Sequence, residues 1–178
     1  GIPYRHIAHA GAREGVPVDW IVARDRLAKE IPSGSIAVLL GPRGTGKTQL
    51  AAEMGLAMHS IGKRVFCGKA MDIFLAIRST WNNPDESEID VVSHFARVDL
   101  LVIDEIQERG ESTWEDRVLT DIIDRRYGAM LDTILIGNLQ PNEFAESMGS
   151  SITSRINESS VFIDCSKWAS FRGKRKGA

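Results

Sequence analysis

The octapeptide GPRGTGKT, residues 41–48, limits what this chain can fold into more than any other feature. It fits G-x-x-x-x-G-K-[ST] at every fixed position. Its surroundings are those the pattern requires. The apolar run SIAVLL, residues 35–40, precedes it, and in residues 47–60 after it Leu50, Ala51, Met54, Ala57 and Met58 recur at helical spacing. A strand that is apolar without alternation is buried on both faces. Gly41, Gly44 and Gly46 admit backbone conformations that a side chain would obstruct. With Pro42, Arg43 and Thr45 between them, successive N–H groups turn inward and form a cradle for phosphate oxygens. The helix that follows adds its positive N-terminal end. Lys47 is then placed to reach the β- and γ-phosphates of ATP, and the Thr48 hydroxyl to ligate Mg²⁺, with Gln49 next in the set of nucleotide contacts. A glycine turn with no ligand is the plain alternative, and it does not call for this context.

The rest of the chain alternates strands with helices. Strands are expected at RVFCG (64–68), DLLVIDE (99–105), DTILIG (132–137) and SVFID (160–164). Helices are expected over residues 70–81, from IDVVSHFA onward, over 113–127, and as two short pieces within 141–156. Residues 1–33 read as mixed, punctuated by Pro3, Pro17 and Pro32. The fold class is therefore α/β: a P-loop nucleotide-binding core with a mostly parallel, five-stranded sheet covered on both faces. No internal repeat appears and no linker divides the chain, so residues 1–178 read as one domain.

The second half of a phosphate site is legible in LLVIDE. Its apolar run places the strand at the centre of the sheet, and its C-terminal end emerges where open α/β sheets bind ligands. Asp104 is placed to hold Mg²⁺ through water, and Glu105 to orient and polarise the water that attacks the γ-phosphate. Two acids capping a strand is the plain alternative. An acid pair of this kind points to an ATPase rather than to a small-molecule kinase. Asn138 follows the strand TILIG, where its amide either holds the same water or makes an ordinary strand-to-turn contact.

Composition narrows the remaining classes. A formal net charge of −2 excludes a uniformly basic nucleic-acid binder but leaves room for a local basic patch. No apolar run approaches the length of a membrane span, and the opening GIPYRHIAHAG lacks a signal-peptide core. Cys67 and Cys165 lie far apart and read as reduced thiols in or near the core, so a cytoplasmic setting is expected, in a bacterial cell or a phage-infected host. The four histidines show no metal-ligand spacing, which leaves Mg²⁺ with the nucleotide as the expected metal. Gly1 in place of Met points to an excised fragment or a tag remnant.

GPRGTGKTQLA, VDLLVIDEIQ, TDIIDRRY, ILIGNL and SSITSRI resemble, in that order, the AAA+ domain of the DnaC-type replicative helicase loaders, a group that includes the IstB-type transposition helpers. The likeness runs over nearly the whole chain. The helix pair within 70–95 and the terminal WASFR narrow it to the loader group. The resemblance implies that GIPYRHI lies near the adenine, with Ile2, Tyr4 and Arg5 as contacts. It implies that Asn138 senses the γ-phosphate and that Arg155, in TSRI, is an arginine finger reaching into a neighbouring subunit's ATP. The plain reading of Arg155 is a surface arginine on a short helix. It also implies self-association, an insertion at 70–95 that lines a path for single-stranded DNA, and a hexameric replicative helicase as partner. Two departures stand out. No lid follows the last strand, and little here serves as the N-terminal segment with which known loaders grip the helicase, so that segment is trimmed or docking differs.

Single-strand binding requires cations along the backbone path and flat rings under the bases. Lys69, Arg78 and Trp81 in the insertion are candidates, joined by Ser112, Trp114 and Arg117 at the start of the helix after the acid pair. Trp81 and Trp114 both stand in polar surroundings, which suggests exposure; the plain reading is helix packing or a subunit interface. Arg125 and Arg126 either cross an interface or pair with Asp121 and Asp124 of their own helix. The tail cations Arg172, Lys174, Arg175 and Lys176 read as a solvated end.

Overall fold

The computed structural model describes residues 4–7, 16–83, 85–108 and 113–171, with Tyr4, Arg5, Ser159 and Ser160 described in their backbone only. Ile2, Ser112 and the cations of the basic tail lie outside the described residues. The elements follow in order: α1 (Tyr4–Ile7), α2 (Val18–Glu30), β1 (Ile36–Leu40), α3 (Lys47–Ser60), β2 (Val65–Lys69), α4 (Ala70–Ser79), a 3-10 turn (Thr80–Asn82), α5 (Glu88–Arg97), β3 (Leu100–Asp104), α6 (Thr113–Gly128), β4 (Asp132–Gly137), α7 (Pro141–Ser159) and β5 (Ser160–Asp164). The expected two helices before β5 appear as the two parts of α7, broken at Gly149, whose φ of 72° lies outside helical space.

The five strands form one sheet in the order β2-β3-β4-β1-β5, and every neighbouring pair is parallel. Both faces are covered, which is why β1 and β4 are buried at every residue. Ile36, Val38 and Leu40 join the core made with α4, α5, α6 and α7. Ala37 and Leu39 join the opposite core, made with α2 and α3. Burial pushes the thiols of Cys67 and Cys165 up to about 12, so both stay protonated and inert.

The helix α2 is not foreseen by reading residues 1–33 as mixed. Its buried side chains, Trp20, Ala23 and Leu27, make a helical stripe, but Val18 and Val22 remain exposed and blur it.

Arg126 corrects the interface reading. It is fully buried. Its Nη1 donates to the carbonyl oxygens of Phe95 at 3.1 Å and Val98 at 2.7 Å, its Nε donates to Thr133 Oγ1 at 2.9 Å, and its Nη2 donates to the Asp132 carbonyl. One guanidinium thus satisfies carbonyls that the end of α5 leaves without helical partners. Desolvation lowers its pKa to about 10, still far above neutrality. Arg125 stays on its own helix and pairs with Asp121 at 2.9 Å.

Candidate functional site

The strand order positions the site. β4 lies between β1 and β3, so the segments leaving the C-terminal ends of β1, β4 and β3 stand side by side. These segments begin with Gly41, Asn138 and Glu105. Lys69, at the end of β2, is in register with Asp104.

The loop after β1 has the backbone that its glycines permit. Gly41 and Gly46 have φ of 141° and 90°. A Cβ on Gly41 would come within 2.6 Å of the Cys165 backbone, so close approach as well as φ excludes a side chain there. Lys47 is buried, and its Nζ donates to the carbonyl oxygens of Gly41 and Pro42 at 2.7 and 2.8 Å. The ammonium is thereby held over the loop. Thr45 Oγ1 donates to the Pro42 carbonyl at 3.0 Å, bracing the same turn.

Facing the loop, Thr48 Oγ1 donates to Asp104 Oδ2 at 2.6 Å. A hydroxyl and a carboxylate meeting at this distance, beside the N-terminus of α3, are hard oxygen donors suited to Mg²⁺. Asp104 Oδ1 accepts from the Glu105 backbone N–H at 2.7 Å. Glu105 has φ of 51°, in the left-handed region, a costly conformation for a residue with a side chain and one that gathers at functional sites. The turn is fixed on its far side, where the Ile106 N–H donates to the Ile136 carbonyl at 3.1 Å. The Glu105 carboxylate pairs with Lys69 Nζ at 2.6 Å, and this bond holds its carboxyl below the usual range. Arg43, in the loop, pairs with Glu108. The Asn138 backbone N–H donates to Gln107 Oε1 at 3.1 Å, tying the end of β4 to the turn that carries Glu105. Gln107 escaped the sequence reading; its only signal was its place three residues after Asp104.

Three further groups pack around the loop. Trp20 Nε1 donates to the Gly46 carbonyl at 3.3 Å, and the Phe171 N–H donates to the Gly44 carbonyl at 2.9 Å. His6 Nδ1 lies 2.9 Å from Gln49 Oε1, and Gln49 Nε2 donates to the His6 carbonyl at 3.1 Å. Gln49 thus joins the helical turn of Tyr4 and Arg5 to the start of α3. Trp20 was not foreseen, and within GIPYRHI and WASFR neither His6 nor Phe171 was singled out, because each contact with the loop is made by tertiary packing from a distant part of the chain.

Of the expected nucleic-acid contacts, Lys69 sits with Glu105 rather than apart. Arg78 donates to the buried Glu115 at 2.6 Å and lies 4.9 Å from the centroid of the Trp114 ring. Trp114 corrects the expectation of an exposed ring. It is half-buried, packs on the core side of α4 and meets Phe74 edge-on at 6.1 Å. The polar residues around it in sequence fall on other faces of α6. Trp81 is 59% exposed and stands edge-on to Trp114 at 5.3 Å. Arg117 is exposed on α6. Arg155 is on α7, where it meets Ser151 of the same helix and Asp124 and Tyr127 of α6.

The chain matches the model of the IstB-like ATP binding protein family over residues 30–163. It belongs to that family. The replicative helicase loader DnaC of Escherichia coli (strain K12) is 32% identical over 146 residues, which are 81% of this chain and 60% of that protein. The chain therefore spans somewhat under two thirds of the DnaC length. The crystal structure of the DnaC helicase loader superimposes with a TM-score of 0.77 at 19% identity, covering 91% of this chain and 99% of that one. The replication initiator DnaA bound to AMPPCP and single-stranded DNA gives 0.73 at 19% identity, covering 92% of this chain and 50% of that one. These likenesses establish the P-loop AAA+ core. With the family and the loop geometry, they make this an ATP-binding domain. Among the described residues, no helix is long and apolar enough to cross a membrane.

Proposed function

We propose that the chain is the ATPase part of a loader that delivers a hexameric replicative helicase to single-stranded DNA. ATP binding drives self-association and closure on the strand, and hydrolysis releases that state. The observation that carries the reading is the convergence of Lys47, Thr48, Asp104, Glu105 and Asn138 at three adjacent strand ends, in a family whose DnaC relatives are named as helicase loaders.

Each residue has one task. The loop amides and Lys47 bind the β- and γ-phosphates and stabilise charge that grows on the γ-phosphate oxygens. Mg²⁺, held by Thr48 and by Asp104 through water, would neutralise phosphate charge. Glu105 accepts a proton from the attacking water, for which its carboxylate leaves Lys69 at the end of β2. Asn138 orients the same water. Lys69 keeps the Glu105 carboxylate ionised until the site is assembled. Ile2, Tyr4 and Arg5 lie on the adenine side, which the bonds between His6 and Gln49 support. Arg155 supplies positive charge to the ATP of the adjoining subunit, and a lone subunit hydrolyses slowly. Trp81 and Arg117 contact the strand, and the Arg78–Glu115 pair holds the insertion that presents Trp81.

The test is a helicase-loading assay with Glu105→Gln. Retained ATP binding, retained assembly on DNA and failure to release are expected. Unchanged loading by this variant would mean that turnover is incidental and that the protein is an ATP-gated adaptor. The family match favours one other reading, a transposition helper that marks duplex DNA. Preferential binding of duplex over oligothymidine in a gel shift selects it.

A further inference from the structure

Away from the nucleotide, the end of α3, the start of β2 and the face of α5 that carries Asp90, His94 and Arg97 enclose an open cavity of about 610 Å³. Its walls present Lys63, Arg64 and Arg97 as cations and His59 and His94 as flat rings, and all five are exposed. Val65 and Phe66 supply apolar wall. Among the described residues of the walls, Asp90 is the only carboxylate. Lys63 Nζ and Arg64 Nε lie 3.8 and 3.4 Å from Asp99, which accepts more closely from the Arg64 backbone N–H, at 2.8 Å. Arg64 Nη2 donates to the Arg97 carbonyl at 2.7 Å, which brings one guanidinium to the residue that bears the next. Cations gathered in this way repel one another, a cost that a bound anion offsets. The chain as a whole carries −2, so the cluster does not follow from composition. Arg64 precedes the edge strand β2, and Lys69 ends it beside Glu105. At about 3.3 Å per residue, roughly 16 Å of strand separates the cluster from the phosphate site.

Cations alone suit any polyanion. Exposed rings set among them suit a chain that offers phosphates together with unstacked bases. Duplex DNA keeps its bases stacked, and an acidic peptide brings no base to meet the rings. We infer that this cavity is a second contact surface for single-stranded nucleic acid. Lys63, Arg64 and Arg97 take phosphates, and His59 and His94 stack on bases. The surface is separate from Trp81, which is bonded to Glu88 at the start of α5, whereas Arg97 ends that helix. The assignment rests on the reading of the chain as a single-strand binder.

Fluorescein-labelled oligothymidine, followed by anisotropy over a range of salt with Mg²⁺-ATP present, tests it. No binding by the wild type means that the chain is no strand binder, and the assignment falls with that reading. Where the wild type binds, Lys63→Gln/Arg97→Gln is expected to weaken affinity at least about tenfold at low salt and to lower the slope of log K against log salt by about 1.4. Should the pair unfold, Lys63→Gln alone serves, with a slope lower by about 0.7. Arg26→Gln/Lys29→Gln removes two exposed cations from α2 and is expected to change affinity less than about twofold. His94→Ala is expected to weaken binding severalfold at every salt concentration, and His94→Phe, which keeps a flat ring, to restore it. Native affinity and slope in Lys63→Gln/Arg97→Gln overturn the inference while leaving strand binding elsewhere in place. Equal losses in the α2 pair also overturn it, because net charge alone would then explain the effect. A loss confined to capture of the helicase assigns the cluster to an acidic protein surface and overturns it too. Native binding by His94→Ala, with a duplex of equal length losing as much as oligothymidine, overturns the choice of a single strand.

Discussion

A charged side chain buried without solvent is sustained only by a full set of partners, and Arg126 has one. Its guanidinium reaches the Phe95, Val98 and Asp132 carbonyls and the Thr133 hydroxyl, so its removal leaves several buried acceptors empty. Arg126→Met conserves much of the apolar stem and none of the donors. It is expected to lower stability by about 3 kcal/mol. A urea titration would show a lower midpoint at an unchanged slope. A loss below about 1 kcal/mol would mean that water replaces the guanidinium at these carbonyls. The same residue shows how a sequence misleads. In TDIIDRRY two adjacent arginines look alike, yet Arg125 pairs with Asp121 at the surface while Arg126, one helical step on, points into the core.

The helix α6 connects three parts of the molecule. Glu115, in its first turn, takes Arg78 of α4; Asp124 takes Arg155 of α7; Arg126 takes the end of α5. The helices α4 and α5 are thus fixed to the same rod as Arg155. That rod leaves Trp81 outside, while Trp114 is folded inward. Trp81→Ala is expected to weaken oligothymidine binding by about 1–3 kcal/mol, as measured by fluorescence anisotropy. Unchanged affinity would assign the ring to packing against Trp114.

Elements with strong local patterning were legible. The strands at 35–40 and 132–137 are built on the apolar runs IAVLL and ILIG because both faces of the sheet are covered, and the octapeptide declares its own turn. Asp104 and Glu105 could be read because they end an apolar strand downstream of that turn. What could not be read depends on pairing between distant segments. Lys69 looked like a cation free for DNA, and the β2–β3 register alone brings it to Glu105. Trp114 looked exposed because its sequence neighbours are polar, although a helix turns successive residues to different faces. Val18 and Val22, apolar and exposed, hid α2.

At the scale of the whole molecule, five parallel strands bring four chemical groups to one edge. The phosphate loop follows β1, the Asn138 amide follows β4, Asp104 ends β3 with Glu105 just beyond it, and Lys69 ends β2. Arg155 of α7 meets Asp124 and Tyr127 of α6. All of these roles depend on the loop of residues 41–48 holding a triphosphate. Isothermal titration of Mg²⁺-ATP into the wild-type chain, Lys47→Ala and Glu105→Gln tests that dependence. Saturable binding by the wild type, at least about tenfold weaker binding by Lys47→Ala and near-native binding by Glu105→Gln are predicted. Equal affinity of the wild type and Lys47→Ala would contradict the account.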